Sequence, residues 1–415
     1  MTLVKTTVLT GLSTFIKILS VFIINKVVAV YAGPSGLALI GQLQNFVALI
    51  LSISNGSINN GLVKYTAEYK NQQQMSAKLF STSIKICFGL SIILASVLFI
   101  FAEDFSKYFL YDDKYILIFK IFSFTLFFYS LNTILLSILN GLGEIKTFIV
   151  INIISSIFSL IFTSLLIVSF NITGALIALV SNQAVIFFVT LLIVHRQKQL
   201  FFKDFLGKFD VLIFKKLSHF SIMAISTAVM TPFVLISIRN KISNDISLEA
   251  AGYWQGVWYI SDMYLLVITT AIGVYLLPKF SAISDKAELK QEIFSAYKVL
   301  IPIVFTLALG IFFFKELIIQ IVFSKEFISM RELFLFQLIG DVLKIASWIL
   351  SYLMLAKAMT KLFIATEIFF GLSFLVFSFL FLEWYGLIGV TYAFALNYFL
   401  YLSFLIQKFR RYLNG

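Results

Sequence analysis

The chain of 415 residues has one cysteine, four prolines, two histidines and only 13% charged residues. A single cysteine excludes a disulfide framework, and Cys87 lies in an apolar run and reads as an inert thiol. His195 and His219 have no Cys, His or carboxylate cluster around them, so no metal site is expected. There is no G-x-x-x-x-G-K-[ST] stretch, which excludes ATP hydrolysis, and no G-x-S-x-G or similar nucleophile motif. The expectation is a protein that is not an enzyme and carries no cofactor and no catalytic residue. The shortage of charge also excludes a soluble globular domain.

What is abundant is apolar surface. Hydrophobic residues make up 60%, with 48 Phe and 18 Tyr, and the mean hydropathy is +0.99. The class is a polytopic membrane protein. At about 20 apolar residues per crossing plus a short loop, roughly a dozen spans fit. The net charge of +12 is spread over short loops. That pattern points to membrane topology and an anionic lipid surface rather than nucleic acid. The start, Lys5 followed by an apolar run, resembles a signal peptide. Lys17 interrupts the run and no A-x-A site follows closely, so it is read as a retained first span.

Twelve spans are read at about 9–31, 37–61, 79–101, 116–139, 147–169, 173–194, 217–238, 251–277, 295–314, 331–355, 362–382 and 387–407. The fold expected is an all-α membrane protein of 12 transmembrane helices. Basic loops, such as Lys64, Lys70 and Lys78 or Lys408, Arg410 and Arg411, alternate with acidic ones, such as Glu103, Asp104, Asp112 and Asp113. The positive-inside rule then places both termini in the cytoplasm. Residues 196–216 form the one long cytoplasmic connection. It is basic and amphipathic, as expected of a segment on the anionic inner leaflet. It separates an N-terminal six-helix bundle, 1–195, from a C-terminal one, 217–415.

The two sides of this linker repeat each other. Gly174 and Gly389, Ala178 and Ala393, and Asn182 and Asn397 differ by 215; Glu103 and Glu316, and Lys26 and Arg239, differ by 213. Halves with an even number of spans share one orientation and are related by a pseudo-two-fold axis along the membrane normal. Transporters built this way hold substrate between their halves.

Polar residues at bilayer depth mark the expected central cavity, because a charge there normally faces water or a partner. The first helix carries Lys17 and Lys26; the second carries Gln42, Asn45 and Asn59. Arg239 follows in the seventh. Gln255, Tyr259, Asp262 and Thr269 share one face of the eighth, and Gln337, Asp341, Lys344 and Trp348 share one face of the tenth. Asp341 and Lys344, three apart, are placed to pair with each other. Asp262 and Asp341 are the candidates for a coupling ion, proton or sodium. Bases would meet phosphate, while amides and aromatics would meet sugar rings and hydroxyls.

The run Gly252-Tyr253-Trp254-Gln255-Gly256-Val257, with Ile260-Ser261-Asp262, Tyr264-Leu265 and Val274-Tyr275-Leu276-Leu277-Pro278, resembles the bacterial polysaccharide flippases. So do Met330-Arg331-Glu332-Leu333-Phe334, Gln337-Leu338, Gly340-Asp341-Val342-Leu343-Lys344, and Ala29-Val30 with Gly33-Pro34-Ser35-Gly36-Leu37. The resemblance covers the whole chain and is strongest from about 217 to 360. It implies the fold of the multidrug/oligosaccharidyl-lipid/polysaccharide exporter superfamily, two six-helix bundles around a cavity. It implies a substrate of undecaprenyl-diphosphate-linked oligosaccharide, moved from the cytoplasmic to the periplasmic leaflet of the inner membrane. The O-antigen repeat unit is the first reading, drawn from the Phe-, Ile-, Lys- and Asn-rich composition; enterobacterial common antigen, as lipid III, is the alternative. Polysaccharide polymerase and chain-length proteins are the implied protein partners. A drug/cation antiporter of the same superfamily would want an acid-rich cavity, and this set has more bases than acids. A membrane-embedded polymerase or ligase would want a large periplasmic loop bearing catalytic bases, which the short loops lack.

Overall fold

The computed structural model describes residues 3–195, 205 and 207–414, and among them every regular element is a helix. In chain order these are α1 (Leu3–Ser54), α2 (Asn59–Glu68), α3 (Gln73–Ile100), α4 (Ala102–Leu110), α5 (Ile116–Leu142), α6 (Ile145–His195) and α7 (Val211–Asp245). Then come α8 (Leu248–Ala271), α9 (Leu277–Ala282), α10 (Lys286–Phe313), α11 (Lys315–Val322), α12 (Phe334–Ala356), α13 (Thr360–Tyr385) and α14 (Leu387–Asn414).

Among the described residues, eight helical stretches are long and apolar enough to cross a bilayer. Two of them, Gly11–Ser54 with 44 residues and Ile145–His195 with 51, far exceed one crossing, which needs about 20. Both break at a single residue. In α1 the backbone leaves helical geometry at Gly33 (φ 61°, ψ −167°), just before Pro34. In α6 it does so at Asn171 (φ 50°, ψ −134°). Two further expected spans lie in α7 and α8; residues 221–238 of α7 carry no charge, whereas α8 carries Glu249, Gln255 and Asp262.

The α6 break is a reversal. Gln183 Nε2 donates to Ser155 Oγ at 3.4 Å, and Asn182 Nδ2 donates to Ser159 Oγ. In a straight helix residues so far apart in sequence would be separated by more than about 30 Å. The two arms therefore lie side by side. They approach so closely at the turn that a Cβ on Gly174 would stand 1.9 Å from the Leu166 carbonyl oxygen.

The chain divides into two compact units, Met1–Ala32 with Leu39–Pro232, and Gly33–Ala38 with Phe233–Gly415. In the first, α2, α3, α5 and the beginning of α7 enclose Leu62, Leu79, Ile138 and Leu217. Polar side chains link its helices at depth, with Ser54 Oγ 2.5 Å from Ser130 Oγ and Cys87 Sγ 3.8 Å from Asn55 Oδ1. The described end of the basic connection is fastened to α3. Lys85 donates to the Gly207 carbonyl at 2.8 Å, Ser81 to the Lys208 carbonyl at 3.2 Å, and Lys78 pairs with Asp210 at 3.3 Å. Asp210 also caps α7 through the amides of Leu212 and Ile213. The Ile213 amide, helped by Lys78, holds its carboxyl below the usual range. Residues 196–204 and 206, with Arg196, Lys198 and Lys203, lie outside the described residues.

The second unit repeats features of the first at nearly constant offsets. Helix α10 starts 213 after α3 and both have 28 residues. The turn residue Gly386 (φ 64°, ψ −151°) between α13 and α14 stands 215 after Asn171. A Cβ on Gly389 would meet the Phe381 carbonyl oxygen at 2.0 Å, the same contact as Gly174 with Leu166 shifted by 215. Asn397 accepts from Ser373 where Asn182 donates to Ser159. The repeated sequence thus reproduces the turn geometry, but one copy does it with an asparagine. A non-glycine residue in this backbone region costs about 1–3 kcal/mol. Asn171→Gly is therefore expected to raise thermal stability by about 1–2 kcal/mol, and Gly386→Asn to lower it by a similar amount. Thermal unfolding of the purified variants checks both.

Candidate functional site

Asp341 and Lys344 on α12 meet Tyr264 and Trp258 where α8 packs on α12. The sequence puts Trp254, Trp258, Ser261, Asp262 and Leu265 on neighbouring turns of α8, and Gln337, Asp341, Lys344 and Trp348 on one stripe of α12. Asp341 is fully buried. Tyr264 Oη donates to its Oδ2 at 2.9 Å, and the Ser261 hydroxyl lies beside the same carboxylate. Asp262 is exposed, with the Trp258 indole next to it. Lys344 is 8% exposed and acts electrostatically on both aspartates.

The pairing expected from the Asp341/Lys344 spacing is not formed. Among the described residues Lys344 makes no ion pair within 4.0 Å and no hydrogen bond. Its Nζ instead rests over two indole faces, 5.6 Å from the Trp258 centroid and 5.1 Å from that of Trp348, within cation–π range. One turn of helix brings the two side chains to neighbouring positions, but Tyr264 on α8 draws the carboxylate and the tryptophans draw the ammonium.

Arg239 on α7 is 2% exposed. It donates to Gln255 Oε1, and its guanidinium carbon stands 5.5 Å from the Trp254 ring centroid. Two residues of the expected set, Arg239 and Gln255, are therefore in direct contact. Gln337 is buried at 1% exposure on the same stripe as Asp341. In the first unit Lys17 is exposed, Lys26 and Asn45 are half-buried and Gln42 is buried along α1, while Asn59 opens α2. Sequence reasoning did not single out Tyr264, Trp254 or Trp258 as site residues. Trp254 and Trp258 do sit eight and four residues before Asp262, on one face of α8, and that spacing was the available signal.

Chemically, this part of the second unit offers a buried carboxylate with a tyrosine donor, an exposed carboxylate, a desolvated ammonium on aromatic faces and amides. Such a set binds and orients a polar solute. Among the described residues no group of three or more His, Cys, Asp or Glu could hold a metal ion.

Comparison with known proteins places the chain. A family model described as "Polysaccharide biosynthesis protein" matches residues 33–332, including all of α8. The chain belongs to that family. Two relatives, each named lipid III flippase, one from Escherichia coli (strain K12) and one from Shigella flexneri, are 28% identical over 407 residues, covering 97% of this chain and 97% of each relative. Among solved structures, an inward-facing MATE-family multidrug transporter of the MOP superfamily aligns with a TM-score of 0.79 at 13% identity, covering 96% of this chain and 95% of that one. The lipid II flippase MurJ in an inward closed conformation aligns with a TM-score of 0.73 at 17% identity, covering 98% and 87%. This member of the polysaccharide biosynthesis family therefore has the fold of the MOP transporters and is a multi-pass membrane protein.

Proposed function

We propose that the chain is a flippase for a lipid-linked oligosaccharide, carrying it from the cytoplasmic to the periplasmic leaflet of the inner membrane by alternating access. The observation that carries the reading is the buried polar and charged face of α8 and α12 inside otherwise apolar helices, in a chain that matches lipid III flippases end to end. A carboxylate and an ammonium at that depth are expensive unless a polar solute uses them. The full-length relatives favour lipid III over the O-antigen repeat unit that composition suggested.

In this proposal the chain crosses the membrane twelve times in two pseudo-symmetric bundles, 1–195 and 217–415, with both termini in the cytoplasm. Lys17, Lys26, Gln42, Asn45, Asn59, Arg239, Gln255, Asp262, Gln337, Asp341 and Lys344 serve the substrate path. Asp262 and Asp341 are the groups for a coupling proton or sodium ion. A drug antiporter is the less favoured reading, because four of the eleven residues are basic and two acidic. Polymerase and chain-length proteins remain candidate partners on the strength of the resemblance.

The test is complementation. Expression in two flippase-null strains, one lacking export of the common antigen and one lacking export of O-antigen, should restore surface common antigen and clear the lipid-linked precursor from the inner leaflet. Restoration of O-antigen alone would return the reading to the repeat unit, and restoration of neither would remove it.

A further inference from the structure

The stripe on α12 has an internal order. Gln337, Asp341, Lys344 and Trp348 advance by four, three and four residues, so they lie on one face, with Gln337 and Lys344 two turns apart. Gln337 is 1% exposed, and neither its amide nitrogen nor its amide oxygen has a hydrogen-bond partner among the described residues. Buried amides are ordinarily satisfied at both ends, so this one is set to accept and donate to something else. Lys344 is buried and held on aromatic faces rather than on a carboxylate. Asp341 between them accepts from Tyr264 at Oδ2, while its Oδ1 has no hydrogen-bond partner among the described residues.

An ammonium held by indoles differs from one held in an ion pair. The ring quadrupole fixes its position but contributes no full negative charge, so its attraction for an anion survives. Trp258 is itself fixed, with Trp254 at 5.6 Å and Phe394 at 5.4 Å between centroids. A carboxylate in direct contact with Lys344 would cancel this attraction most fully; Asp341 and Asp262 act on it electrostatically, but neither lies within 4.0 Å of its ammonium. At the other end, an amide with a free donor and a free acceptor matches vicinal hydroxyls, which also give and take one hydrogen bond each.

We infer that α12 carries two ordered subsites, Lys344 for a phosphate of a polyprenyl diphosphate and Gln337 for the hydroxyls of the sugar attached to it, with Trp258 and Trp348 as positioning residues that keep the ammonium unpaired. The inference rests on the flippase reading and adds to it which residue reads which part of the substrate. Helix α12 runs from its Gln337 end towards Lys344, so the sugar subsite lies nearer the 3-10 helix Lys325–Leu333 and the phosphate subsite nearer the helix middle.

The experiment measures binding of two ligands to the full chain in lipid nanodiscs, undecaprenyl diphosphate without sugar and the same lipid bearing one N-acetylhexosamine. Lys344→Met is expected to weaken both by about tenfold or more. Gln337→Met, close in volume, is expected to weaken the sugar-bearing lipid by about tenfold and leave the sugarless one unchanged. Lys344→Arg should retain both, because a guanidinium also stacks on indoles, but should fail in a Trp258→Leu/Trp348→Leu background. Thermal unfolding of each variant confirms that it is folded. Equal loss of both ligands in Gln337→Met, or no loss in Lys344→Met, overturns the map while leaving the flippase reading intact. A wild-type chain that binds neither lipid removes both.

Discussion

Asp341→Leu is expected to lower stability by about 1–3 kcal/mol, the range for leaving a buried donor without its acceptor, and to abolish export. The reason is local. Asp341 is completely buried, accepts from Tyr264 at 2.9 Å, and is the buried negative charge acting on Lys344, itself only 8% exposed. Leucine leaves the Tyr264 hydroxyl without its acceptor and the ammonium with indole faces and the exposed Asp262 alone. Asp341→Asn keeps an oxygen for Tyr264 and should lose less stability, about 1 kcal/mol or under. If the two charges act as a unit, Asp341→Asn combined with Lys344→Gln should be more stable than the sum of the single variants allows. Thermal unfolding of the four proteins gives the comparison. Additive losses would mean that the two groups do not feel each other.

The second large effect concerns backbone contact. A Cβ at Gly252, near the start of α8, would stand 1.9 Å from the Pro34 carbonyl oxygen and 2.4 Å from its carbonyl carbon. Both residues belong to the second unit, which includes the short segment Gly33–Ala38. Carbonyl groups in a packed helix cannot swing away as a side-chain tip does, so Gly252→Ala should cost about 3 kcal/mol or more and reduce the yield of folded protein sharply. Gly310, inside α10, supplies the contrast, because a Cβ added there would meet nothing within 4 Å. Gly310→Ala should leave stability unchanged or raise it by about 0.5–1 kcal/mol, because alanine loses less backbone entropy in a helix. Thermal denaturation of the two variants side by side separates steric exclusion from a general sensitivity of glycine positions.

Much of the scaffold could be read from residue order. Apolar runs mark the crossings, and the offsets of 213 and 215 reappear as helix starts and turn positions, down to the Gly174 and Gly389 contacts. Those features are local, set by periodicity and by where the chain must turn. Side-chain partnership was less legible because it depends on a second helix. Spacing within α12 put Lys344 next to Asp341, but Tyr264 and Trp258 arrive from α8, and nothing in the α12 sequence states their register. Arg239 looked like a phosphate ligand because it is a base at depth. Its contacts with Gln255 and Trp254 come from α8, sixteen and fifteen positions further along the chain, through a packing that local spacing does not encode. The same gap explains why Asn171 was not noticed: only its φ and ψ, beside those of Gly386, reveal the strained position.

The four tryptophans are unevenly placed. Trp254, Trp258 and Trp348 surround Arg239 and Lys344, whereas Trp384 is 64% exposed at the end of α13. Replacing Trp384 with phenylalanine would therefore leave a protein whose tryptophan emission arises wholly from the polar face of one unit. The chain contains its own optical reporter there, readable in bilayers without any attached dye.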